Sequence, residues 1–476
     1  MALAADSEAE IRQRLAAAVP ANVREVCRVL AAAGHQAVTV GGAVRDAILG
    51  RAPGDWDVAT SAPPDAVIAL FRHTVPTGIA HGTVTVVTGR GAASHVEVTT
   101  FRGEGAYSDA RRPDRVTFGV ALVDDLARRD LRVNAIAYDP QSGALIDPYG
   151  GQTDIAERRL RAVGPTGKVY DDAVARFTED GLRVMRAVRF AAALEFELDP
   201  DTERGIGPAL PSLARVSKER ICDELRKILA AREPSRALAI AERTGIVALI
   251  LPEHAPGVAA WAAARGVDRG AQIARWLGRV DAAAPAARLP ALLAELADPA
   301  LGPDRAPPRL DRRSQRAADT VLRRLKFSND ESAAAATAVA TAAAALATGW
   351  TEPQIRGLLA DAGRRHADTV VALWRAELAA ARRPTDSALL PDIAEPSALA
   401  ALVDQAGAIL VRGDALTVGE LAVTGKDLMT ALEMAPGPLV GRLLTALVDR
   451  VLVDPSLNSR DRLIAVARGL ELELAR

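Results

Sequence analysis

The chain of 476 residues contains only two cysteines, no excess of charge of either sign and no apolar run long enough to predict a membrane-spanning helix. Cys27 and Cys222 lie far apart, which argues against a disulfide framework or a thiolate metal site and favours a reducing compartment. The formal net charge of −1 gives no overall attraction to nucleic acid, so any such contact must be local. The first ten residues are acidic and lack the apolar centre of a secretory signal, so a cytoplasmic protein is expected.

A Gly-Gly turn joins a predicted strand, residues 37–40, to a predicted short helix, residues 43–49. The small residues Gly41 and Gly42 allow the backbone to come close to a ligand. The N–H groups and the positive dipole at the helix start suit a triphosphate, and Arg45 can add a charged, two-pronged contact. The sequence therefore predicts a phosphate-binding turn.

Two carboxylates follow this turn, because Asp55 and Asp57 are separated by a single residue. In an extended segment they lie on one face, where a pair of carboxylates can hold two Mg²⁺ ions for phosphoryl transfer. An isolated Asp-x-Asp is weak evidence in a chain with 60 acidic residues, and a solvated surface pair is the alternative. The ordered combination of strand, Gly-Gly turn, helix and Asp-x-Asp favours the metal site.

A β-hairpin is predicted next, since residues 83–88 and 95–101 alternate in polarity on either side of a glycine-containing turn. Glu97 lies in the middle of the second strand, where a lone carboxylate is unfavourable unless it is solvated or has a partner. Two interpretations remain open. Glu97 either completes the site of Asp55 and Asp57 or faces solvent on a half-exposed sheet.

A first concentration of arginine is found in residues 124–135, where Arg128, Arg129 and Arg132 are close together. Arg129 could reach a triphosphate while Asp130 either orients it or caps the following segment. A charged helix face with paired side chains would have the same pattern and is the alternative.

A second concentration of charge lies in residues 176–190, where every third position is charged along a predicted helix: Asp180, Arg183, Arg186 and Arg189. A surface salt bridge is the ordinary explanation of an acid and a base at this spacing. Three successive arginines repel one another, however, which favours an anionic partner.

Strand patterns almost vanish after about residue 170, and helical periodicity takes over. The predicted fold class is therefore α+β, with an α/β head followed by an all-helical remainder. The arginine- and glycine-rich loop at residues 102–113 either covers a phosphate-bearing substrate or is a solvated surface loop.

In order and spacing, these motifs resemble the class II tRNA nucleotidyltransferases, a family of CCA-adding enzymes and bacterial poly(A) polymerases. The resemblance extends to about residue 230 and is carried by residues 41–46, 55–57, 128–135 and 179–190. A weaker similarity returns near the end, at residues 423–428, 436–438 and 451–455. No motif matches between about 255 and 385. The resemblance implies a polymerase-β-like nucleotidyltransferase palm at 1–165, followed by a helical neck at 166–255, a body at 256–385 and a tRNA-binding tail at 386–476.

The resemblance also implies roles for individual residues. Asp55 and Asp57 would bind Mg²⁺ and act in catalysis, with Glu97 as the third carboxylate. The implied nucleotide-binding residues are Gly42, Arg45, Arg129 (for the phosphates), Asp180, Arg183, Arg186 and Arg189.

By the same resemblance, Asp180 and Arg183 read the base, and hydrogen-bonding chemistry agrees with this role. Cytosine and adenine both present an amino donor beside a ring-nitrogen acceptor, which a carboxylate and a guanidinium on one helix can match. Uracil and guanine instead present a carbonyl to the carboxylate, so two acceptors would face each other.

The implied function is addition of CCA to the 3′ end of tRNA from CTP and ATP, with release of pyrophosphate. An A-adding enzyme or a poly(A) polymerase is the alternative, because the motifs are shared. An alternative of another class is a catalytically decayed RNA-binding protein. The loop at residues 102–113 argues against a CC-only enzyme, and the absence of any His-Asp dipeptide argues against the phosphohydrolase activity of some relatives.

Two further expectations concern local charge. Arg132 replaces an uncharged residue of the family motif, so an extra positive charge is expected in the site. In the tail, phosphate contacts with tRNA are expected at Lys426, Arg442, Arg460 and Arg462. No membrane partner is indicated, and the oligomeric state stays open.

Overall fold

The structure is a computed structural model and describes residues 7–79, 82–91, 94–104, 116–299, 310–382 and 396–474. The chain divides into two compact units: the first comprises Met1–Ala231 with Arg236–Ile250, and the second comprises Arg232–Ser235 with Leu251–Arg476. None of the helices in the described ranges is long and apolar enough to cross a membrane. Most of the predicted loop, residues 105–113, lies outside the described residues, so its interpretation stays a prediction.

The first unit contains all the described strands. They are β1 (Ala37–Val40), β2 (Asp57–Thr60), β3 (Thr74–Gly78), β4 (Thr83–Val87), β5 (His95–Thr100), β6 (Arg102–Glu104), β7 (Val116–Phe118), β8 (Ala137–Tyr138), β9 (Leu145–Ile146), β10 (Arg159–Leu160) and β11 (Glu197–Leu198). Seven of them form one sheet in the order β3-β4-β5-β2-β1-β8-β9. β2 and β5 are parallel neighbours, and the other neighbouring pairs of this sheet are antiparallel. The predicted hairpin is confirmed as β4 and β5.

The helices up to Ile250 surround this sheet or follow it in the chain. They are α1 (Glu8–Ala18), α2 (Ala21–Ala32), α3 (Gly42–Ile48), α4 (Pro64–Leu70), α5 (Leu122–Ala127), α6 (Gly151–Ala156), α7 (Val169–Glu179), α8 (Leu182–Leu194), α9 (Pro200–Arg204), α10 (Ile206–Ala214), α11 (Lys218–Ala230), α12 (Pro234–Arg243) and α13 (Ile246–Ile250). The short helix after the Gly-Gly turn is therefore confirmed as α3. Buried apolar residues of β1 and β2 pack with α5 through Leu122 and Leu126, which anchors the strand ends from which the turn and the carboxylates project.

The predicted single helix through residues 176–190 is wrong, because the chain breaks at Asp180 between α7 and α8. Asp180 is extended, at φ −131° and ψ 103°, and its carboxylate accepts a hydrogen bond from the Leu182 N–H at 3.0 Å. Gly181 packs directly on the backbone of α10, where a Cβ would lie 2.3 Å from the Leu213 nitrogen. Asp180 and Arg183 are therefore three residues apart without sharing one helix.

Gly181→Ala is expected to destabilise the protein, because the added Cβ would meet backbone atoms of α10 that cannot move aside as a flexible side-chain end can. Overpacking of this kind costs about 1–3 kcal/mol, which a thermal melt detects. Gly207→Ala on α10 is the matched control, since its Cβ would meet nothing within 4 Å and alanine favours a helix. An unchanged melting temperature for Gly181→Ala would mean that the break is not set by this contact.

The described part of the second unit contains helices and no strand, which confirms the α+β prediction. Its helices are α14 (His254–Arg265), α15 (Arg269–Ala282), α16 (Arg288–Leu293), α17 (Arg312–Arg324), α18 (Asn329–Val339), α19 (Glu352–Ala362), α20 (Arg364–Arg382), α21 (Pro396–Arg412), α22 (Gly425–Ala431), α23 (Pro438–Val453) and α24 (Arg460–Leu474). Trp261, Trp276 and Trp374 are fully buried, and each donates its indole N–H to a backbone carbonyl at 2.9–3.1 Å. The division into neck, body and tail stays a prediction.

A charged network is buried inside the second unit. The Glu377 carboxylate accepts hydrogen bonds from Arg265 at 2.5 Å, Arg275 at 2.6 Å and Arg279 at 2.9 Å. Arg279 also binds Glu295 at 2.5 Å. The network connects α14, α15 and α20, so Glu377 is its central acceptor.

Candidate active site

The strand register brings two of the predicted carboxylates side by side. Asp57 begins β2 and is paired with Val40 on one side and with Glu97 on the other. Because residues in register on neighbouring strands point to the same face, the Asp57 and Glu97 side chains share a face. Glu97 is exposed on this face, so both interpretations stay open, and its register with Asp57 is what the interpretation as a third carboxylate requires.

The electrostatics of Asp57 reflect this crowding. Although Asp57 is exposed as a residue, partial burial of its carboxylate, together with the negative charges of Glu97 and Asp55, raises its pKa to about 6, while the charge of Arg129 opposes the rise. Within the described ranges, no three acidic, histidine or cysteine side chains are assembled as a complete metal-binding group. The carboxylates nevertheless fit a hard divalent cation, because its ligands are oxygens and its charge would relieve the repulsion at Asp57.

Gly41 is the point at which the predicted phosphate-binding turn meets the carboxylates. Its φ of 82° lies in the region that favours glycine, and a Cβ there would be 2.9 Å from the Arg129 Nη1 and 4.0 Å from the Asp57 Oδ2. The backbone therefore lies directly beside a guanidinium and close to a carboxylate. No residue with a side chain fits this position without displacing Arg129.

Arg129 is held from below by two groups of the first unit. Its Nη2 is 3.6 Å from the Asp125 carboxylate, and its Nη1 donates to the Asn134 carbonyl at 3.3 Å. The Nε is buried and has no hydrogen-bond partner among the described residues, while one fifth of the side chain is exposed. Burial lowers the pKa of Arg129, and the negative charge of Asp125 partly offsets this by raising it. An anionic ligand would therefore gain from binding here.

Arg45 does not project as the free, two-pronged phosphate contact that the sequence suggests. It is buried and donates to the Asn134 side chain at 2.5 Å and to Asp46 at 2.9 Å. A Cβ on Gly42 would lie 3.6 Å from the Arg45 guanidinium, which packs against the turn. The Arg45 guanidinium thus packs against the Gly-Gly turn and supports it. Its contact with a nucleotide stays a prediction.

Asp130 binds Arg186 and does not orient Arg129, which corrects the predicted pairing. Its carboxylate accepts from Arg186 at 2.7 Å and from the Asn134 amide at 2.9 Å. Burial alone would raise the pKa of Asp130, but the charge of Arg186 and these hydrogen bonds hold it well below its usual range. Asn134 also links Asp130 to Arg45. The pair of Asp130 and Arg186 connects the arginine-rich residues 124–135 with residues 176–190 inside the protein.

Arg183, Arg186 and Arg189 each have an internal carboxylate partner, so their repulsion does not by itself require an external anion, and their role in nucleotide binding stays a prediction. The pairs are Arg183 with Glu179 at 2.7 Å, Arg186 with Asp130 at 2.6 Å and Arg189 with Glu224 at 2.6 Å. Mutual repulsion is thereby offset within the fold. The ring of Phe190 adds a second support, since the guanidiniums of Arg45, Arg186 and Arg189 lie 4.0–5.5 Å from its centre.

The two predicted base-reading residues are held separately. Arg183 donates to Glu179 and to the Arg176 carbonyl at 3.1 Å. Asp180 instead accepts two hydrogen bonds from Arg220 on α11, at 2.8 and 3.3 Å. The carboxylate and the guanidinium therefore do not neutralise each other.

Sequence reasoning missed Arg220 and Glu224, which α11 places one turn apart. A signal for Glu224 exists, because this acidic residue falls on the apolar face made by Ile221, Leu225 and Ile228 and is buried with them. A carboxylate on such a face requires a partner. Nothing local identifies Arg220, whose partner is forty residues away.

The extra charge of Arg132 does not enter the carboxylate site, contrary to expectation. Arg132 donates to the Ala162 carbonyl at 3.3 Å and its charge acts on Asp154. In the tail, the four predicted phosphate-contacting residues are all exposed: Lys426, Arg442, Arg460 and Arg462.

Three family models match the chain in the order of the predicted regions. They are "Poly A polymerase head domain" over residues 37–161, "Probable RNA and SrmB- binding site of polymerase A" over 195–257 and "tRNA nucleotidyltransferase domain 2 putative" over 312–467. The last of these covers much of the stretch in which no motif could be matched by inspection.

Two curated relatives are CCA-adding enzymes. The chain is 48% identical over 234 residues to that of Geobacillus thermodenitrificans (strain NG80-2) and 45% identical over 222 residues to that of Leuconostoc citreum (strain KM20). These matches cover 49% and 47% of this chain and 54% and 52% of the relatives. The chain thus spans about half the length of the curated relatives it matches.

One solved structure extends the similarity to almost the whole chain. It is the CCA-adding enzyme of Bacillus stearothermophilus in complex with CTP, with 31% identity and a TM-score of 0.65 over 95% of this chain and 97% of that chain. With the family motifs placed around one turn and one helix break, and with this identity over nearly the full length of a relative, the chain belongs to the class II tRNA nucleotidyltransferases, the family of CCA-adding enzymes and bacterial poly(A) polymerases.

Proposed function

We propose that the protein is a CCA-adding enzyme, which adds C and A to the 3′ end of tRNA from CTP and ATP and releases pyrophosphate. The observation that carries the proposal is the packing at Gly41, beside both the Arg129 guanidinium and the Asp57 carboxylate. A phosphate-binding group and a metal-binding group thereby meet at one turn, as nucleotidyl transfer requires.

The carboxylates of Asp55 and Asp57 would hold Mg²⁺, with Glu97 beside Asp57 as the third carboxylate. When bound, the metal would activate the terminal 3′-hydroxyl and stabilise charge on the α-phosphate and the leaving group. Support comes from the shared face of Asp57 and Glu97 and from the raised pKa of Asp57. Both observations indicate that the carboxylates repel one another and that the positive charge nearby does not fully neutralise them.

The phosphates of the incoming nucleotide would bind Arg129, with Gly42 providing close approach of the backbone. One fifth of the Arg129 side chain is exposed, and its Nε has no acceptor within the described residues, so the guanidinium is not saturated with internal partners and its exposed part would bind a phosphate. Arg45, Arg186 and Arg189 would support the nucleotide site indirectly, because all three are already paired and pack around Phe190. In that role the three arginines would hold the nucleotide site in the geometry that the reaction needs.

The base would be read at the break between α7 and α8. Asp180 would accept from the amino group of C or A, and Arg183 would donate to the neighbouring ring nitrogen. Support comes from their separate partners. Asp180 is paired with Arg220 and Arg183 with Glu179, so the two base-reading residues do not form an ion pair with each other. The solved relative from Bacillus stearothermophilus is in complex with CTP, one of the two nucleotides that such a site would accept.

The test uses three RNAs: a tRNA lacking the whole CCA end, a tRNA lacking only the final A, and an unrelated RNA. Each is incubated with CTP, ATP or both in the presence of Mg²⁺. We expect both tRNAs to be completed to CCA when both nucleotides are present, with little extension of the unrelated RNA. Products are resolved at single-nucleotide length.

A second candidate, an A-adding enzyme or poly(A) polymerase, is favoured by the match of residues 37–161 to a poly(A) polymerase head. The same assay separates the possibilities. An A-adding enzyme would extend only the tRNA that lacks the final A, and a poly(A) polymerase would extend unrelated RNA with ATP alone. A decayed RNA-binding protein would extend none of them, which would overturn the proposal.

Asp180→Asn is expected to relax nucleotide selectivity. The asparagine amide can donate to the carbonyl of uracil or guanine, so the preference for CTP and ATP should fall by about 5- to 150-fold, the size of one bidentate pair. The measurement is kcat/KM for all four nucleotides, with a thermal melt of each variant. Asp223→Asn, an exposed position on α11, is the control. Unchanged ratios with early melting would make Asp180 a purely structural partner.

The tRNA itself would be bound in part by the tail, where the exposed charges of Lys426, Arg442, Arg460 and Arg462 can contact phosphates. A cytoplasmic location follows from this function, since its substrates are there.

A further inference from the structure

A salt bridge from α11 fixes the proposed base-reading carboxylate. The Arg220 Nη2 donates to the Asp180 Oδ2 at 2.8 Å, and its Nη1 donates to the Asp180 Oδ1 at 3.3 Å. The Leu182 N–H donates to the same Oδ1 at 3.0 Å. A two-pronged contact of this kind fixes the plane of the carboxylate as well as its position.

Counting hydrogen bonds shows what remains for a ligand. A carboxylate offers about four acceptor positions, two on each oxygen. At Asp180, Oδ1 already accepts two hydrogen bonds and Oδ2 accepts one. One acceptor position is therefore left, on Oδ2, in a side chain that is 17% exposed.

Helix α11 is well suited to hold Arg220 in place. Its apolar face is buried through Ile221, Leu225 and Ile228, and Glu224, one turn beyond Arg220, binds Arg189 of α8 at 2.6 Å. The same helix thus contacts α8 near its end and the break that precedes its start. Helix α11 therefore makes two charged contacts here, Glu224 with Arg189 and Arg220 with Asp180, and only the second involves a proposed base-reading residue.

We propose that Arg220 is a positioning residue that sets nucleotide selectivity by holding Asp180 with a single oxygen position presented to the base. This inference rests on the proposed function. A free Asp side chain turns easily about its terminal torsion, which has broad minima. Turning would let the carboxylate move its oxygen away from the carbonyl of uracil or guanine and so lower the penalty against them. The salt bridge prevents this rotation. The fixed Asp180 oxygen then faces the carbonyl oxygen of uracil or guanine without a hydrogen bond, and this penalty gives the selectivity for C and A.

The proposal predicts a specific pattern in kcat/KM. Arg220→Gln should reduce the preference for CTP over UTP, and for ATP over GTP, by about tenfold, the size of one charge-assisted hydrogen bond. Most of this change should come from improved use of UTP and GTP and not from loss of CTP and ATP. Arg220→Lys, which keeps the charge but loses the planar fork, should lie between the wild type and Arg220→Gln.

The control is Arg226→Gln on the same helix, whose salt bridge with Asp223 at 3.1 Å is more exposed. It should leave the nucleotide ratios unchanged. Melting temperatures of all variants, and binding of CTP and UTP in competition with each other, separate loss of folding from loss of discrimination. A merely structural Arg220 would lower the melting temperature and the rate with all four nucleotides together.

The outcomes are distinguishable from failure of the proposed function. If the wild type shows no preference for CTP and ATP, the proposed function fails. If the wild type is selective and Asp180→Asn is not, but Arg220→Gln keeps the wild-type ratios, the function stands and this inference is overturned. If Arg220→Gln does not fold, full selectivity in Arg220→Lys overturns it equally.

Discussion

Asp57→Asn is expected to abolish Mg²⁺-dependent nucleotide addition, with kcat/KM lowered on the order of 10²–10³-fold or more, while tRNA binding survives. The reason is that the change removes the charge of the carboxylate that lies in register with Glu97 and close to the Gly41 turn. Single-turnover extension of tRNA measures the loss, and a filter-binding or fluorescence assay measures tRNA affinity.

The stability of this variant gives an independent reading. The pKa of Asp57 is raised to about 6, so its ionised form is disfavoured in the folded protein, and this cost is present above that pH and absent below the unfolded value near 4. In a chelator at pH 7, Asp57→Asn should therefore melt at the same temperature as the wild type or higher. Mg²⁺ should raise the melting temperature of the wild type and not that of the variant.

Asp171→Asn is the matched control, because this aspartate is exposed at the start of α7. It should leave activity and the Mg²⁺ response unchanged. Near-normal turnover by Asp57→Asn, with no deamidated protein present, would remove Asp57 from the mechanism.

Glu377→Gln is expected to lower the free energy of unfolding by about 3–5 kcal/mol, the usual cost of removing one partner from a buried ion pair. Glu377 accepts from Arg265, Arg275 and Arg279, and only Glu295 would remain as a carboxylate partner among the five charged groups. Urea titration at pH 7 measures the change.

The pH dependence follows from the direction of the pKa shift. Burial alone would raise the pKa of Glu377, but the three arginines outweigh it and hold the pKa far below its usual range. A carboxylate with a depressed pKa stabilises the fold above its unfolded value and loses that contribution as the pH falls. The difference between wild type and Glu377→Gln should thus be full above about pH 5 and should shrink below about pH 4.5.

Asp368→Asn, an exposed change on the same helix, should have little effect on unfolding and is the control. If Glu377→Gln is as stable as the wild type at pH 7, the three arginines must be balanced by groups other than Glu377.

Local sequence patterns were sufficient for the elements around the Gly-Gly turn. Residues 37–60 specify a strand, a glycine turn, a helix and a second strand through local propensity, and the structure has these elements in that order. The hairpin of β4 and β5 was equally visible, because alternating polarity is a property of neighbouring residues. The pairing of β5 with β2 was not, since it joins strands separated by β3 and β4.

Local patterns failed where a distant segment decides the geometry. The helix break at Asp180 depends on the backbone of α10 meeting Gly181, and regular spacing of charges suggested an unbroken helix. Arg45 was expected to be free because its partner Asn134 lies 89 residues away. The internal partner of Arg189 was missed because Glu224 belongs to a helix 35 residues further along the chain. Each error has the same cause, a partner that is remote in sequence.

The parallel pairing of β2 and β5 has a consequence for how this site can vary during evolution. The distance between Asp57 and Glu97 is set by backbone hydrogen bonds, so neighbouring side chains can be exchanged without moving the two carboxylates apart. Deleting or inserting a single residue at the start of β5 would instead bring Val96 or Val98 opposite Asp57 and turn Glu97 into the buried face. We therefore expect substitutions of similar size and polarity to be tolerated along this strand, whereas changes in length are confined to the connection before it.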